Sequence, residues 1–138
     1  MTENAARRSI DVAVAPESLE TIFEAMSAWW DEVGEVDVAK RFGFETAVIE
    51  IAGNIVEHSE GAGADRRFTL ELFADASVLS ATFRDDGDPP VVDLSSVNMA
   101  GEDEESGRGL ALASAGVDEL SLRRVGDRNV WTLESRRT

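Results

Sequence analysis

The sequence lacks cysteine entirely and has a single histidine among its 138 residues. The absence of cysteine excludes disulfides, cysteine-ligated zinc and a thiol nucleophile, and it suits a reducing compartment. One histidine cannot build a metal site from several imidazoles. Both absences narrow the possible chemistry before any motif is considered.

Basic charge and long apolar runs are also scarce. Lys and Arg number 13 against 28 Asp and Glu, so the formal net charge is -15. This balance disfavours nonspecific attraction to nucleic acid phosphates or to an anionic membrane, and any polymer partner is expected to be basic. No uncharged apolar run approaches the roughly 20 residues that cross a bilayer, and the first residues, MTENAARRSID, lack the apolar core of a signal peptide. We therefore expect a cytoplasmic protein that contacts neither membrane nor nucleic acid directly.

The length and the hydrophobic periodicity predict one globular domain. A chain of 138 residues falls within the roughly 100 to 200 residues of one domain, and its composition is 43% hydrophobic and 30% charged. Period-2 and period-3.6 patterns alternate along it. They predict a strand at 10–14, helices at 17–33 and 36–60, strands at 68–72 and 78–83, a long loop at 85–106, a helix from 107, and two strands between 118 and 136.

This order of elements predicts an α+β fold. Consecutive strands joined by short turns favour a mostly antiparallel sheet, and three amphipathic helices could cover one of its faces in a two-layer α/β sandwich. Gly43 is a candidate break in the second helix. Of the adjacent Trp29 and Trp30, we expect one in the core and the other at its edge.

The stretch VIEIAGNIVEHSE, residues 48–60, carries a polar stripe on a helix that is otherwise apolar. At 100° per residue, Glu50 and Asn54 lie about 40° apart, and Glu57 and His58 fall near the same side. Such a stripe is either a solvated helix face or part of a functional site. From the helix alone, the solvated face is the favoured interpretation.

Two glycine motifs occur downstream of this helix. In RDDGDPP, Asp85 and Gly87 follow a predicted strand, where a carboxylate can accept a hydrogen bond from an amino group and glycine admits a ligand. In SGRGLALA, Gly107 and Gly109 open a helix whose free N–H groups and positive dipole end suit phosphate oxygens. Taken singly, the first is an ordinary acidic turn and the second a flexible helix start.

Together these motifs resemble the N, G1 and G2 boxes of the GHKL, or Bergerat, ATP-binding fold. The match comprises E-x-x-x-N-x-x-x-H from Glu50, D-x-G from Asp85 and G-x-G-L from Gly107. Within that superfamily, the small size and the ending GRGLALASAGVDEL followed by two strands resemble the anti-sigma factor serine kinases of the RsbW type. The resemblance covers about residues 8 to 136, which would be one histidine kinase-like ATPase domain.

The resemblance implies a role for each matched residue. Glu50 would be the general base, and Asn54 would hold Mg²⁺ through its side-chain oxygen. His58 matches the motif without an assigned role. The nucleotide, ATP, would be bound by Asn54, Asp85 for the adenine amino group, Gly87 beside the ring, Gly107, Arg108 and Gly109 at the phosphates, and Leu110.

The resemblance also implies an ATP lid at residues 88–106. The acidic run Glu102–Glu105 in this lid fits poorly beside a triphosphate, so we expect it to face solvent.

The chain departs from the family pattern at two places. Asp88-Pro89-Pro90 replaces the second glycine of the G1 box, which affects the lid hinge more than adenine binding. Asn129 stands near the position where relatives often have threonine.

The leading functional hypothesis is an ATP-dependent protein serine/threonine kinase and anti-sigma factor. It would phosphorylate a STAS-domain anti-sigma factor antagonist and alternately sequester a sigma factor, and relatives suggest a homodimer. The alternative is an ATP-binding regulatory module without kinase activity that sequesters a protein other than a sigma factor. A histidine kinase or gyrase-like ATPase is disfavoured because no phosphoacceptor or transducer segment is recognised.

Overall fold

A computed structural model describes residues 5–59, 66–87 and 105–137, except the side chains of residues 58, 59 and 105–108. Its elements follow the expected order. They are β1 (Ala6–Ala13), α1 (Ser18–Val33), α2 (Val38–Ser59), β2 (Arg67–Ala74), β3 (Val78–Asp85), α3 (Glu105–Gly116), β4 (Glu119–Val125) and β5 (Arg128–Arg136). None of the described helices combines the length and the apolar composition that a membrane span requires.

The five strands form one antiparallel sheet in the order β1-β2-β3-β5-β4. Strand burial alternates, most regularly in β2 and β3, so one face of the sheet is apolar and supports the helices. The α1 helix packs on β1, α2 on β3 and β5, and α3 on α2 and β4. The predicted α+β sandwich, with a mostly antiparallel sheet covered on one face by three helices, is confirmed.

Residues next to the helices in the sequence determine where α1 ends and α2 begins. Gly34 ends α1 with a positive φ of 87°, and its N–H donates to the Trp30 carbonyl at 3.1 Å. Asp37 caps α2, because its Oδ2 accepts hydrogen bonds from the backbone N–H groups of Ala39 and Lys40 at 3.1 and 3.2 Å. The second helix therefore begins two residues later than the hydrophobic pattern predicts.

Both neighbouring tryptophans belong to the core, so the expectation that one would lie at its edge is wrong. Trp29 and Trp30 are 0% and 2% exposed, and their rings are 4.7 Å apart. Each indole N–H has an acceptor: Trp29 donates to the Ala6 carbonyl at 3.1 Å, and Trp30 to Glu45 Oε1 at 2.8 Å. Burial of both rings is possible because neither leaves its N–H unpaired.

Gly43 does not break α2, which continues from Val38 to Ser59. Its lack of a side chain instead permits a close crossing with the end of α3. A methyl carbon built on Gly43 would lie 2.8 Å from the Gly116 carbonyl oxygen, and one built on Gly116 would clash with the Gly43 carbonyl oxygen. The two helix backbones touch here because both residues are glycine.

Part of the predicted loop and lid lies outside the described residues. This applies to residues 88–104, which include the Asp88-Pro89-Pro90 departure and all of the acidic run except its last residue. The α3 helix begins at Glu105, so the last two residues of the predicted loop are helical.

Replacing Gly116 with alanine should lower the free energy of unfolding by about 1–3 kcal/mol, because the added methyl meets backbone that cannot rotate away. Urea unfolding followed by circular dichroism measures this change. Gly53→Ala is the matched control: beyond α2 itself, the described residues place no atom within 4 Å of its added methyl, so it should stabilise α2 by about 0.4–1 kcal/mol. Equal stability of the two variants would contradict the close crossing.

Candidate functional site

The polar stripe of α2 is partly enclosed by the protein. Glu50 and Asn54 are half-buried, whereas Glu57 is exposed. The opposite side of the helix forms the core, and its buried residues include Val48, Ile51, Ala52, Ile55 and Val56. The predicted division of this helix into two faces is thus confirmed. His58 lies in the last turn of α2, but its side chain is outside the described residues.

The Glu50 carboxylate lies against α3, at the second glycine of the G-x-G-L motif. A methyl carbon built on Gly109 would be only 2.6 Å from Glu50 Oε1 and 3.7 Å from its carboxylate carbon. Gly107 and Arg108 precede this contact in the first turn of α3, and Leu110 follows it with 3% exposure. The fold therefore brings the carboxylate of one motif to the second glycine of another, although Glu50 and Gly109 are 59 positions apart in the chain.

Asp85 is the last residue of β3 and is 5% exposed on the helix-covered face of the sheet. Its Oδ1 accepts hydrogen bonds from the Gly87 N–H at 2.8 Å and from Asn129 Nδ2 at 2.9 Å. Both groups donate to Oδ1, and neither donates to Oδ2. A buried carboxylate held in one orientation is suited to accept a hydrogen bond from a ligand amino group.

Asn129 stands directly opposite Asp85 in the pairing of β3 with β5. It is 3% exposed, and its Nδ2 also approaches the Gly87 carbonyl at 3.3 Å. The residue noted as a departure from the family pattern therefore contacts the predicted adenine-binding aspartate through its amide.

Asp85, Asn129 and Arg124 form a row across β3, β5 and β4. No motif in the sequence predicted the part that Arg124 plays in it. It pairs with Asn129 across β4 and β5, and its guanidinium donates to the Gly87 carbonyl at 2.7 Å and to Asn129 Oδ1 at 2.8 Å. Charged donors make stronger hydrogen bonds than neutral ones, so the turn after β3 is held from the neighbouring strands. The alternation of β4 could have indicated this, because Arg124 has the same parity as the half-buried Leu122.

Asn54 is placed so that it can offer an oxygen ligand one turn from Glu50. The described residues form no hydrogen bond with its carboxamide, and they contain no group of three His, Cys, Asp or Glu side chains that could hold a metal ion. A single amide oxygen is compatible with Mg²⁺, which commonly binds few protein ligands and takes the others from substrate phosphates and water. The donor set thus fits an ion that arrives with a nucleotide.

Comparison with known proteins matches the sequence of this chain to a family. The model of the histidine kinase-like ATPase domain matches residues 12–134. No curated protein matches the chain. Among solved structures, the RsbU and RsbW domains of Rv1364c from Mycobacterium tuberculosis are similar, with a TM-score of 0.65 and 20% identity over 94% of this chain and 32% of that one.

The family match extends over most of the chain and includes all the motif residues. The protein belongs to the histidine kinase-like ATPase domain family. The similarity to the mycobacterial structure shows a shared fold of the GHKL type. This chain covers about a third of that longer protein, whose other parts have no counterpart in the match.

Arg124→Ala should lower the free energy of unfolding by about 1–3 kcal/mol, because it removes a charged donor from the Gly87 carbonyl and from Asn129. Arg123→Ala is the matched control, since the neighbouring arginine is exposed on the opposite side of β4 and should change stability by about 0.5 kcal/mol or less. Urea unfolding of both variants provides the comparison. Equal losses would show that the hydrogen bonds of Arg124 contribute nothing specific.

Proposed function

We propose that this protein is an ATP-dependent protein serine/threonine kinase of the RsbW type that works in the cytoplasm. It phosphorylates a serine of a STAS-domain anti-sigma factor antagonist and, in alternation, sequesters a sigma factor. The observation that carries this proposal is the position of the Glu50 carboxylate against Gly109, at the start of the predicted phosphate-binding helix. ATP binding itself is what membership of the family implies.

The proposed reaction transfers the γ-phosphoryl group of ATP to a protein hydroxyl. The serine oxygen forms a bond to the γ-phosphorus, and the bond from that phosphorus to the β,γ-bridging oxygen breaks. ADP leaves with the bond's electron pair, and Glu50 accepts the hydroxyl proton. Mg²⁺ held by Asn54 would offset charge on the phosphates. Asp85 orients the adenine through its amino group, and Gly107, Arg108 and Gly109, near the start of α3, meet the phosphates.

The surface charge supports a basic partner on the helical side of the molecule. The α1 helix has four acidic residues and no basic one, and the acids, Glu20, Glu24, Asp31 and Glu32, are all exposed. A surface of one sign favours encounter with a partner of opposite sign and steers its orientation. DNA-binding sigma factors are basic, so α1 is a suitable region for sequestering one. A homodimer remains part of the proposal on the basis of the resemblance.

Glu50→Gln should reduce phosphoryl transfer by about 10²–10⁴-fold while leaving ATP affinity nearly unchanged, because the amide keeps the shape but cannot accept the proton. Transfer is measured as phosphoserine on the cognate antagonist with Mg-ATP, and affinity by calorimetry. Glu57→Gln, on the exposed end of the same stripe, is the control and should transfer at the normal rate.

Undiminished transfer by Glu50→Gln would remove the proposed base. If the unaltered protein binds ATP but phosphorylates no STAS antagonist, the alternative gains support: an ATP-binding regulatory module that sequesters a different protein. ATP turnover without any protein acceptor would instead indicate a hydrolase.

Asn54→Ala should abolish the gain in ATP affinity that Mg²⁺ produces, because it removes the proposed oxygen ligand of the ion. Loss of an outer-shell partner at a metal site typically lowers affinity roughly 10–100-fold. We expect the ATP affinity measured with Mg²⁺ to fall by at least this factor. Calorimetry with Mg²⁺ and with EDTA separates the effects, since affinity in EDTA should be the same for both proteins. A loss of equal size in EDTA would show that Asn54 contacts the nucleotide instead.

A further inference from the structure

The space beside Gly109 is occupied by the carboxylate of Glu50. Among the described residues, and apart from the neighbouring residues and backbone of α3 itself, two atoms lie within 4 Å of a methyl carbon built on Gly109, and both belong to the Glu50 carboxyl group. The nearer one, Oε1, is at 2.6 Å, which is closer than real side-chain carbons approach an oxygen. An alanine at this position therefore cannot coexist with Glu50 in its present orientation.

The backbone of Gly109 gives no separate reason for a glycine. The described glycines with positive φ are Gly34 and Gly126, so Gly109 has a backbone conformation that other residues adopt freely. It lies within α3, where glycine is less favourable than alanine by about 1 kcal/mol. What distinguishes glycine from alanine here is the room it leaves for Glu50.

The same helices meet at a second contact that holds them in register. At this contact Gly43 of α2 meets Gly116 of α3. Gly43 lies seven residues before Glu50, whereas Gly116 lies seven residues after Gly109, so the two helices run antiparallel. Seven residues are about two turns, or 10.5 Å, on each helix. The backbone contact at one end thus limits how far α3 can retreat from Glu50 at the other, and the added methyl must displace the side chain instead.

We infer that Gly109 is a positioning residue for Glu50, in addition to any contact of its N–H with phosphate. Its missing side chain lets the carboxylate lie at the start of α3, where the hydroxyl proton is released in the proposed phosphoryl transfer. The inference on catalysis rests on the proposed function, whereas the steric part concerns this chain alone. The N–H of residue 109 remains in an alanine variant, so its phosphate contact and the position of the base can be altered separately.

The test is a double-mutant cycle on Gly109→Ala and Glu50→Ala with three measurements. Gly109→Ala alone should lower the rate of transfer at saturating ATP at least tenfold, with ATP affinity changed by less than threefold. In the Glu50→Ala background it should cause no further loss of rate. The third measurement, the midpoint of urea unfolding, is independent of activity. Gly109→Ala should raise the midpoint in the Glu50→Ala background. In the presence of Glu50 it should raise the midpoint less, or lower it. Gly53→Ala, whose added methyl has no atom of another described element within 4 Å, is the control and should leave transfer unchanged.

The outcomes separate this inference from the proposed function. Additive urea midpoints would overturn the steric relation between Gly109 and Glu50, whatever the protein catalyses. A weaker ATP affinity with a normal rate at saturation would make Gly109 a phosphate contact only and would also overturn the inference. If the midpoints are non-additive but Glu50→Ala transfers normally, the steric relation holds and Glu50 is not the base.

Discussion

The close crossing of α2 and α3 is the contact on which the rest of the candidate site depends. Two backbones can touch only where neither has a side chain, and Gly43 and Gly116 meet this condition. Because α3 is one continuous helix, the contact at its last residue limits where its preceding turns can lie. The glycine motif begins in the first turn, and Gly109, the fifth residue of α3, lies beside Glu50. A sequence feature that looks like a helix breaker is therefore what aligns two motifs far apart in the chain.

The site combines two layers that are organised by different rules. On the sheet, Asp85, Asn129 and Arg124 form a row across three strands because antiparallel pairing sets their register. On α2, Glu50 and Asn54 share one side because of the helical pitch. The packing of α2 on β3 and β5 joins these halves. Both halves stand on regular elements, which hold functional groups with less positional freedom than loops.

The row on the sheet also bears on the altered G1 box. The resemblance to the G1 box predicts a second glycine where this chain has Pro89, and the residues from 88 to 104 lie outside the described structure. The part of the turn that the structure describes is held by neighbours: Arg124 and Asn129 both contact the Gly87 carbonyl. These hydrogen bonds come from β4 and β5, so they do not depend on the identity of residue 89. The orientation of Asp85 is thus secured by the sheet.

Sequence alone determined the class of fold, the order of the elements and most of their limits, because periodicity, the glycine after α1 and the short turns are local signals. It also determined that Glu50 and Asn54 share a helix face, and the motif spacing indicated the family. Only the tertiary structure decided that Gly43 continues a helix, that both tryptophans are buried, that Arg124 holds the turn at Gly87, and that Gly109 faces Glu50. Each of these depends on contact between residues that are distant in the chain, and such contacts are set by how α2, α3 and the sheet pack together.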